Sequence, residues 1–289
     1  MSTIPFAGRF ARLFLLLVLI GLVVGGGWSV GKTLIPRVAS IPASLDGPMP
    51  PPGVARLFGF LNPATAWAYP VNETRKTEPF LIVENFENVA AGGFPKDWKA
   101  WRGDDAYARK LYTVREEKGN RYLSAQDDRT SIIVRKEMNN WNPKEYPLLS
   151  WRWRARSLPV GADEREGPKN DSAAALYVVL DQNFFGVPKT LKYVWSTTVP
   201  IGTRHRREGV GRPTVIVLES GTAKQGQWVT ETINVYDDFV AVFGKAPPKN
   251  AIGIGILTDN NATGSPSQGD YDDLMILKRR SASSQDQTR

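Results

Sequence analysis

Carboxylates are the side chains from which this sequence could assemble a catalytic pair. It has no cysteine and a single histidine, His205. That excludes thiolate nucleophiles, disulfides, Cys-ligated zinc, a lipid-modified N-terminal Cys, His-dependent triads and multi-His metal sites. Hydrolysis would need a general acid and a general base drawn from Asp and Glu. Asp181, Glu219, Glu231 and Asp259 fall in or at the ends of expected strands, where two of them could face each other across a cleft. Their spacing selects no pair, and charged strand ends in general read the same way.

Two other chemistries are carried by clusters. Glu84-Asn85-Phe86-Glu87 and Asp270-Tyr271-Asp272-Asp273 stand at the two ends of the domain's sequence. Terminal strands are often neighbours, and oxygen ligands without Cys or His suit calcium, so Glu84, Glu87, Asp272 and Asp273 are candidate ligands of a structural Ca²⁺. Otherwise they are solvated acids at strand ends. Asp259-Asn260-Asn261, followed by Thr263-Gly264, reads as a turn. Arg204-His205-Arg206-Arg207, with Arg212 nearby, reads as an exposed basic loop in which Arg204, Arg206 and Arg207 could hold an anion. Arg152, Arg154 and Arg156 alternate along one strand and read as its wet face, paired with acids on neighbouring strands. The nine tryptophans suggest sugar stacking, and Trp98, Trp101, Trp141 and Tyr146 sit in expected loops as candidate ligand-binding residues.

The elements that must position these residues are strands. In Leu149 to Arg156, Leu149, Trp151, Trp153 and Ala155 alternate with Ser150, Arg152, Arg154 and Arg156, one face apolar and one polar. Two indoles on one face call for a second sheet across them. About eleven short runs with turn residues between them favour an all-β fold, a jelly-roll β-sandwich. Asp171 to Asp181 is nearly all apolar, as a central strand buried on both faces would be. Leu191, Tyr193 and Trp195 share a face. One short helix is expected, with Asp237 and Asp238 in its first turn, Tyr236, Phe239, Val240 and Phe243 at helical spacing, and Gly244 at its end.

Outside this domain the composition changes. Arg9 and Arg12 precede the apolar run Leu13 to Val24, and no charge follows until Lys32. Residues 1–31 therefore read as an N-terminal hydrophobic helix. The expectation is an uncleaved signal anchor, N-terminus cytoplasmic, with a signal peptide cleaved after Gly27 as the alternative. Residues 32–78 form a Pro-rich spacer, residues 79–279 the sandwich, and 280–289 a polar tail. The net charge of +8 and pI near 9.6 suit an anionic partner. An export segment argues against nucleic acid and for the membrane, the periplasm or the exterior.

The ordered series Leu149-Ser-Trp-Arg-Trp-Arg154, the Asp171 to Asp181 strand, Leu191-Lys-Tyr-Val-Trp195, Glu219-Ser-Gly221, Trp228 to Asp238 with Phe243-Gly244, and Ile256-Leu-Thr-Asp-Asn260 resembles the bacterial family called domain of unknown function 3047. The resemblance spans roughly Phe80 to Leu277. It implies a galactose-binding-type jelly roll, a fold whose members include carbohydrate-binding modules with calcium near the first and last strands. It supplies no catalytic residue. The chain departs from the family pattern at Asp171-Ser172, where an acidic pair is usual, and at Ile233, where a base is. These readings together expect an exported, membrane-anchored, non-catalytic module for envelope or extracellular glycan. A glycan hydrolase with paired carboxylates, or an envelope protein scaffold, is the alternative.

Overall fold

A computed structural model describes residues 79–101 and 104–279. The expected N-terminal helix, the whole spacer and the tail lie outside the described residues. Thirteen strands and two α-helices are present among them. In chain order these are β1 (Pro79–Glu84), β2 (Trp98–Ala100), α1 (Asp105–Leu111), β3 (Tyr112–Glu117), β4 (Asn120–Gln126), β5 (Val134–Glu137), β6 (Leu148–Ser157) and β7 (Ala174–Gln182). They continue with β8 (Pro188–Ser196), β9 (Arg204–Arg206), β10 (Thr214–Ser220), β11 (Val229–Asn234), α2 (Val235–Phe243), β12 (Gly253–Leu257) and β13 (Gln268–Leu277).

Two sheets form a sandwich. The first runs β11-β6-β13-β4-β3, with β1 also paired to β13, and the second runs β2-β5-β12-β7-β8-β10-β9. Trp151 and Trp153 of β6 are both buried, as are Tyr193 and Trp195 of β8 in the opposite sheet. The two indoles of β6 meet edge to face with centroids 5.3 Å apart, Trp151 lies 5.9 Å from Tyr193, and Trp153 lies 6.2 Å from Trp195. The expected sandwich is therefore closed by aromatic contacts between β6 and β8. β7 occupies the centre of the second sheet and is buried on both faces, which explains its continuous apolar run.

The arginine ladder of β6 faces outward and is neutralised by β13. Arg154 Nε reaches Asp270 at 2.8 Å and Arg152 Nε reaches Asp273 at 2.9 Å, while Arg152 also contacts Asp272 and Arg156 contacts Asp270. Trp228 covers the Arg152 and Arg154 guanidinium groups at 4.8 and 4.5 Å. The register explains the pairing, since Arg154 stands opposite Asp270 and Arg152 opposite Asp272.

Helix α2 forms where the Tyr236 to Phe243 periodicity places it. Asn234 accepts from the Asp237 amide at 3.0 Å, and Gly244 ends the helix at φ 69°. A second helix corrects the expectation of one. Tyr107 to Leu111, which continue into the run of β3 with no break in composition, belong to α1, because the Asp104 carboxylate caps the Ala106 and Tyr107 amides. The local cap wins over the alternating pattern, which resumes in β3. Truncating Trp151 to Ala removes a buried ring from the intersheet contact and is expected to cost about 3–5 kcal/mol, read from the denaturant midpoint. A loss below about 1 kcal/mol would show that these rings do not hold the sheets together.

Candidate functional site

The outer face of the second sheet carries the site. Strand alternation sends Ala175 and Tyr177 of β7, Val194 of β8, Val215 and Val217 of β10 and Leu257 of β12 away from the main core, where they form a second buried apolar cluster. Over part of this cluster lies a groove of about 690 Å³. Its floor includes Tyr177, Lys192, Val215, Leu257 and Asp259, and its walls include Trp101, Phe185, Val210, Arg207 and Arg212.

The polar part of the floor is a buried network. Lys192, 2% exposed, donates from Nζ to Ser172 Oγ at 3.0 Å. Ser172 Oγ donates to Glu164 Oε1 at 3.1 Å, and Ser196 Oγ donates to Glu164 Oε2 at 2.6 Å. Asp259 accepts from the Ser172 amide at 2.8 Å and from Ser131 Oγ at 3.2 Å. Burial works against the Lys192 ammonium, but Tyr177, Asp259 and Glu164 outweigh it and hold its pKa above the ordinary value. Burial pushes the Asp259 carboxyl up to about 7, against the pull of Lys192.

Loops close this floor through two more buried acids. Asp171 accepts from the Ala262 and Thr263 amides at 3.0 and 2.6 Å, and Asp127 accepts from the Asn260 amide at 2.9 Å. The Asp259-Asn260-Asn261 segment is a turn, as its composition suggests, but with Asp259 and Asn260 buried and the backbone around them held by carboxylates. The network was not foreseen from sequence. The signal available for it was the pair of polar residues, Asp171-Ser172, opening an otherwise apolar strand.

The walls differ in charge. Arg207 and Arg212 form no ion pair with a carboxylate among the described residues, and burial, then the neighbouring Arg212, pulls Arg207 below the usual arginine value. Asp259 is the one carboxylate among the lining residues. The groove therefore holds the parts for binding a polar or anionic molecule, and lacks the facing carboxylate pair that glycoside hydrolysis uses. The other candidate acids are elsewhere. Asp181 pairs with Lys189 and Lys245, each at 3.0 Å, and Glu219 pairs with Lys224 at 2.5 Å. Glu231, in the first sheet, accepts from Trp153 Nε1 at 3.3 Å; burial and then Glu219 raise its pKa to about 7.

Of the aromatic candidates, the structure places Trp101 on the groove. Trp98 and Trp141 were expected in exposed loops and are instead buried in the main core. Trp98 Nε1 donates to Glu84 at 3.1 Å, and Trp141 Nε1 donates to the Tyr146 carbonyl at 2.8 Å, so each indole caps the sandwich with its polar atom satisfied. Tyr146 is half-buried, with Lys278 Nζ 5.9 Å from its ring centroid.

The basic loop also needs correction. Arg204, His205 and Arg206 form the edge strand β9 on β10. Arg204 binds Asp238 of α2 at 2.6 Å, while Arg206 is exposed and Arg207 alone of the three candidates lines the groove.

The residues read as calcium ligands all have other partners in the structure. β1 does pair with β13, as expected, but Glu84 is engaged by Trp98 and by Lys136 at 3.3 Å. Glu87 accepts from the Arg121 amide at 2.9 Å, and Asp272 and Asp273 flank Arg152. Among the described residues no three His, Cys, Asp or Glu side chains gather as a metal site.

Residues 96–275 match the family described as a protein of unknown function (DUF3047). The chain belongs to that family. No curated protein matches it. Among solved structures it is similar to the family 11 carbohydrate-binding module of the cellulosomal cellulase Lic26A-Cel5E of Clostridium thermocellum, at 12% identity and TM-score 0.36, covering 69% of this chain and 94% of that one. It is similar to a family 28 carbohydrate-binding module specific for non-crystalline cellulose at 13% identity and TM-score 0.35, covering 68% and 93%. The K3 cleaved adhesin domain of Lys-gingipain from Porphyromonas gingivalis W83 aligns at 16% identity and TM-score 0.36, covering 69% and 99%.

The raised Asp259 pKa fixes the sign of a stability change. The folded chain holds a proton on this carboxyl that the unfolded chain releases near pH 3.8. The corresponding stability is fully present below that pH and is lost as pH rises through about 7. Asp259→Asn should therefore gain stability relative to the wild type between pH 5 and 8, by roughly 2–4 kcal/mol, in denaturant titrations at a series of pH values. A difference independent of pH would show that Asp259 is ionised throughout.

Proposed function

We propose that this DUF3047 member is a non-catalytic module that binds an acidic carbohydrate of the cell envelope in the groove over the second sheet. The observation that carries this reading is the placement of Trp101 and the carboxylate-free Arg207 and Arg212 around one groove with a single acid in its lining. A sugar ring offers an apolar C–H face to an aromatic wall and hydroxyls to polar side chains, and a uronate or phosphate substituent is matched by arginine's planar fork. Ser131, Asn170 and Thr190 add neutral hydrogen-bonding groups to the lining.

Export belongs to the same proposal. Among the described residues no helix is long and apolar enough to cross a membrane. The apolar run Leu13 to Val24 behind Arg9 and Arg12 supplies the reason to place the module outside the cytoplasm, held by an uncleaved anchor.

Affinity electrophoresis in gels containing polygalacturonate or alginate tests the reading, with a neutral glucan gel beside them. The wild-type chain should be retarded by the acidic polymers. Trp101→Ala and Arg207→Gln should each weaken retention about tenfold, as expected for losing one stacking or charge-assisted contact, with unchanged thermal stability. Absence of retardation in every gel would refute the proposal.

A further inference from the structure

The most exposed apolar side chains of the domain stand together at one tip. The turn between β7 and β8 presents Phe184 and Phe185, 97% and 85% exposed, and the loop before β10 presents Val210, 86% exposed. The two loops adjoin: a Cβ on Gly211 would lie 3.3 Å from Val187 Cγ1. The exposure is built into an ordered turn. Asn183 Oδ1 accepts from the Phe185 and Val187 amides at 3.0 and 2.9 Å, and Gly186 takes φ 74°. The two phenyl rings meet edge to face at 5.5 Å.

Clustered large apolar groups in water mark a surface that something covers. The charge around this tip says what. Arg206 ends β9, Arg207 and Arg212 belong to the loop that follows, which also carries Glu208, and none of the three arginines forms an ion pair with a carboxylate among the described residues. Aromatic and aliphatic side chains with an excess of arginines beside them complement a bilayer interface, in which apolar groups enter the acyl boundary and cations stay with headgroup phosphates.

We propose that the β7–β8 turn and the 207–213 loop form a docking surface for an anionic lipid bilayer, with Phe184, Phe185 and Val210 entering the headgroup region. This surface does not depend on the carbohydrate reading. Because Phe185 and Val210 also line the groove, docking brings the groove's mouth to the membrane surface.

The test uses the full chain, whose lack of cysteine allows a single labelled position. An environment-sensitive fluorophore is placed on Val210→Cys or, as a comparator, on Thr222→Cys, which follows the far end of β10 from the loop. The apolar N-terminal run brings both proteins to vesicles equally, so the difference between positions reports the tip alone. With phosphatidylcholine vesicles containing about a quarter phosphatidylglycerol, the Val210 label should shift to the blue and be quenched by bromine-bearing acyl chains, and the Thr222 label should not. Adding Phe184→Ser should lower the insertion equilibrium about tenfold. It should leave polysaccharide retention intact, since Phe184 is not among the residues lining the groove.

Equal quenching at the two positions would overturn the proposal. So would equal insertion into pure phosphatidylcholine, or a blue shift without vesicles that grows with protein concentration, which would assign the tip to a second copy of the chain. Tip insertion without polysaccharide retention would sink only the carbohydrate reading.

Discussion

Everything in the domain rests on the packing of Trp151 and Trp153 against Tyr193 and Trp195 across the two sheets. These rings set the separation of the layers and fix the parity of β6 and β8. Once Trp151 and Trp153 point inward, Arg152, Arg154 and Arg156 must point outward; once Tyr193 and Trp195 point inward, Lys192 and Val194 must point away from the core. A slip of one residue would bury three guanidinium groups between the sheets, so the register has no competitor.

The two outer faces then solve different problems. The first sheet meets its arginines with Asp270, Asp272 and Asp273 on the neighbouring strand, and with the flat faces of Trp228 and Tyr122. Attraction there is used up within the sheet, and little charge remains for a ligand. The second sheet instead buries most of its outer face under loops, which requires both an apolar cluster and a satisfied polar network around Lys192. Where the cover is incomplete, the network becomes the floor of a groove. Arg207 and Arg212 stand on its wall without the acids that silence the β6 ladder.

The sequence showed strand parity wherever burial is one-sided or complete, as in β6, β7 and β8, because alternation and continuous apolarity report directly on how many faces are covered. It showed α2 through its spacing and its Gly244 stop. It did not show α1, where a single capping aspartate, Asp104, decides seven residues. Nor did it show which tryptophans are exposed. Trp98 and Trp141 lie near prolines and turn residues, as surface aromatics do, yet each is buried with one acceptor for its indole N–H and closes an end of the core. Membership of β9 in the sheet was hidden for a similar reason, since an edge strand of Arg-His-Arg has no apolar face to announce it. For the acids, the chain order brought β1 beside β13 correctly, but cations engaged Glu84, Asp272 and Asp273, while a backbone amide engaged Glu87.

What was least legible is also what makes the site. The floor unites Ser131, Asp171, Ser172, Lys192 and Asp259, drawn from distant parts of the chain, and no spacing rule connects them. Their placement follows from topology. β12 lies beside β7, so the loop after Leu257 reaches Ser172, just before β7, and β8 on the other side delivers Lys192 beneath both. A floor assembled from the ends and outer faces of adjacent strands inherits the rigidity of the sheet, while the walls come from loops free to vary in length and charge. In the proposed carbohydrate reading, discrimination falls to the walls, to Trp101 and the arginines of the 207–213 loop. The buried Lys192 network keeps the sheet beneath them dry and in register.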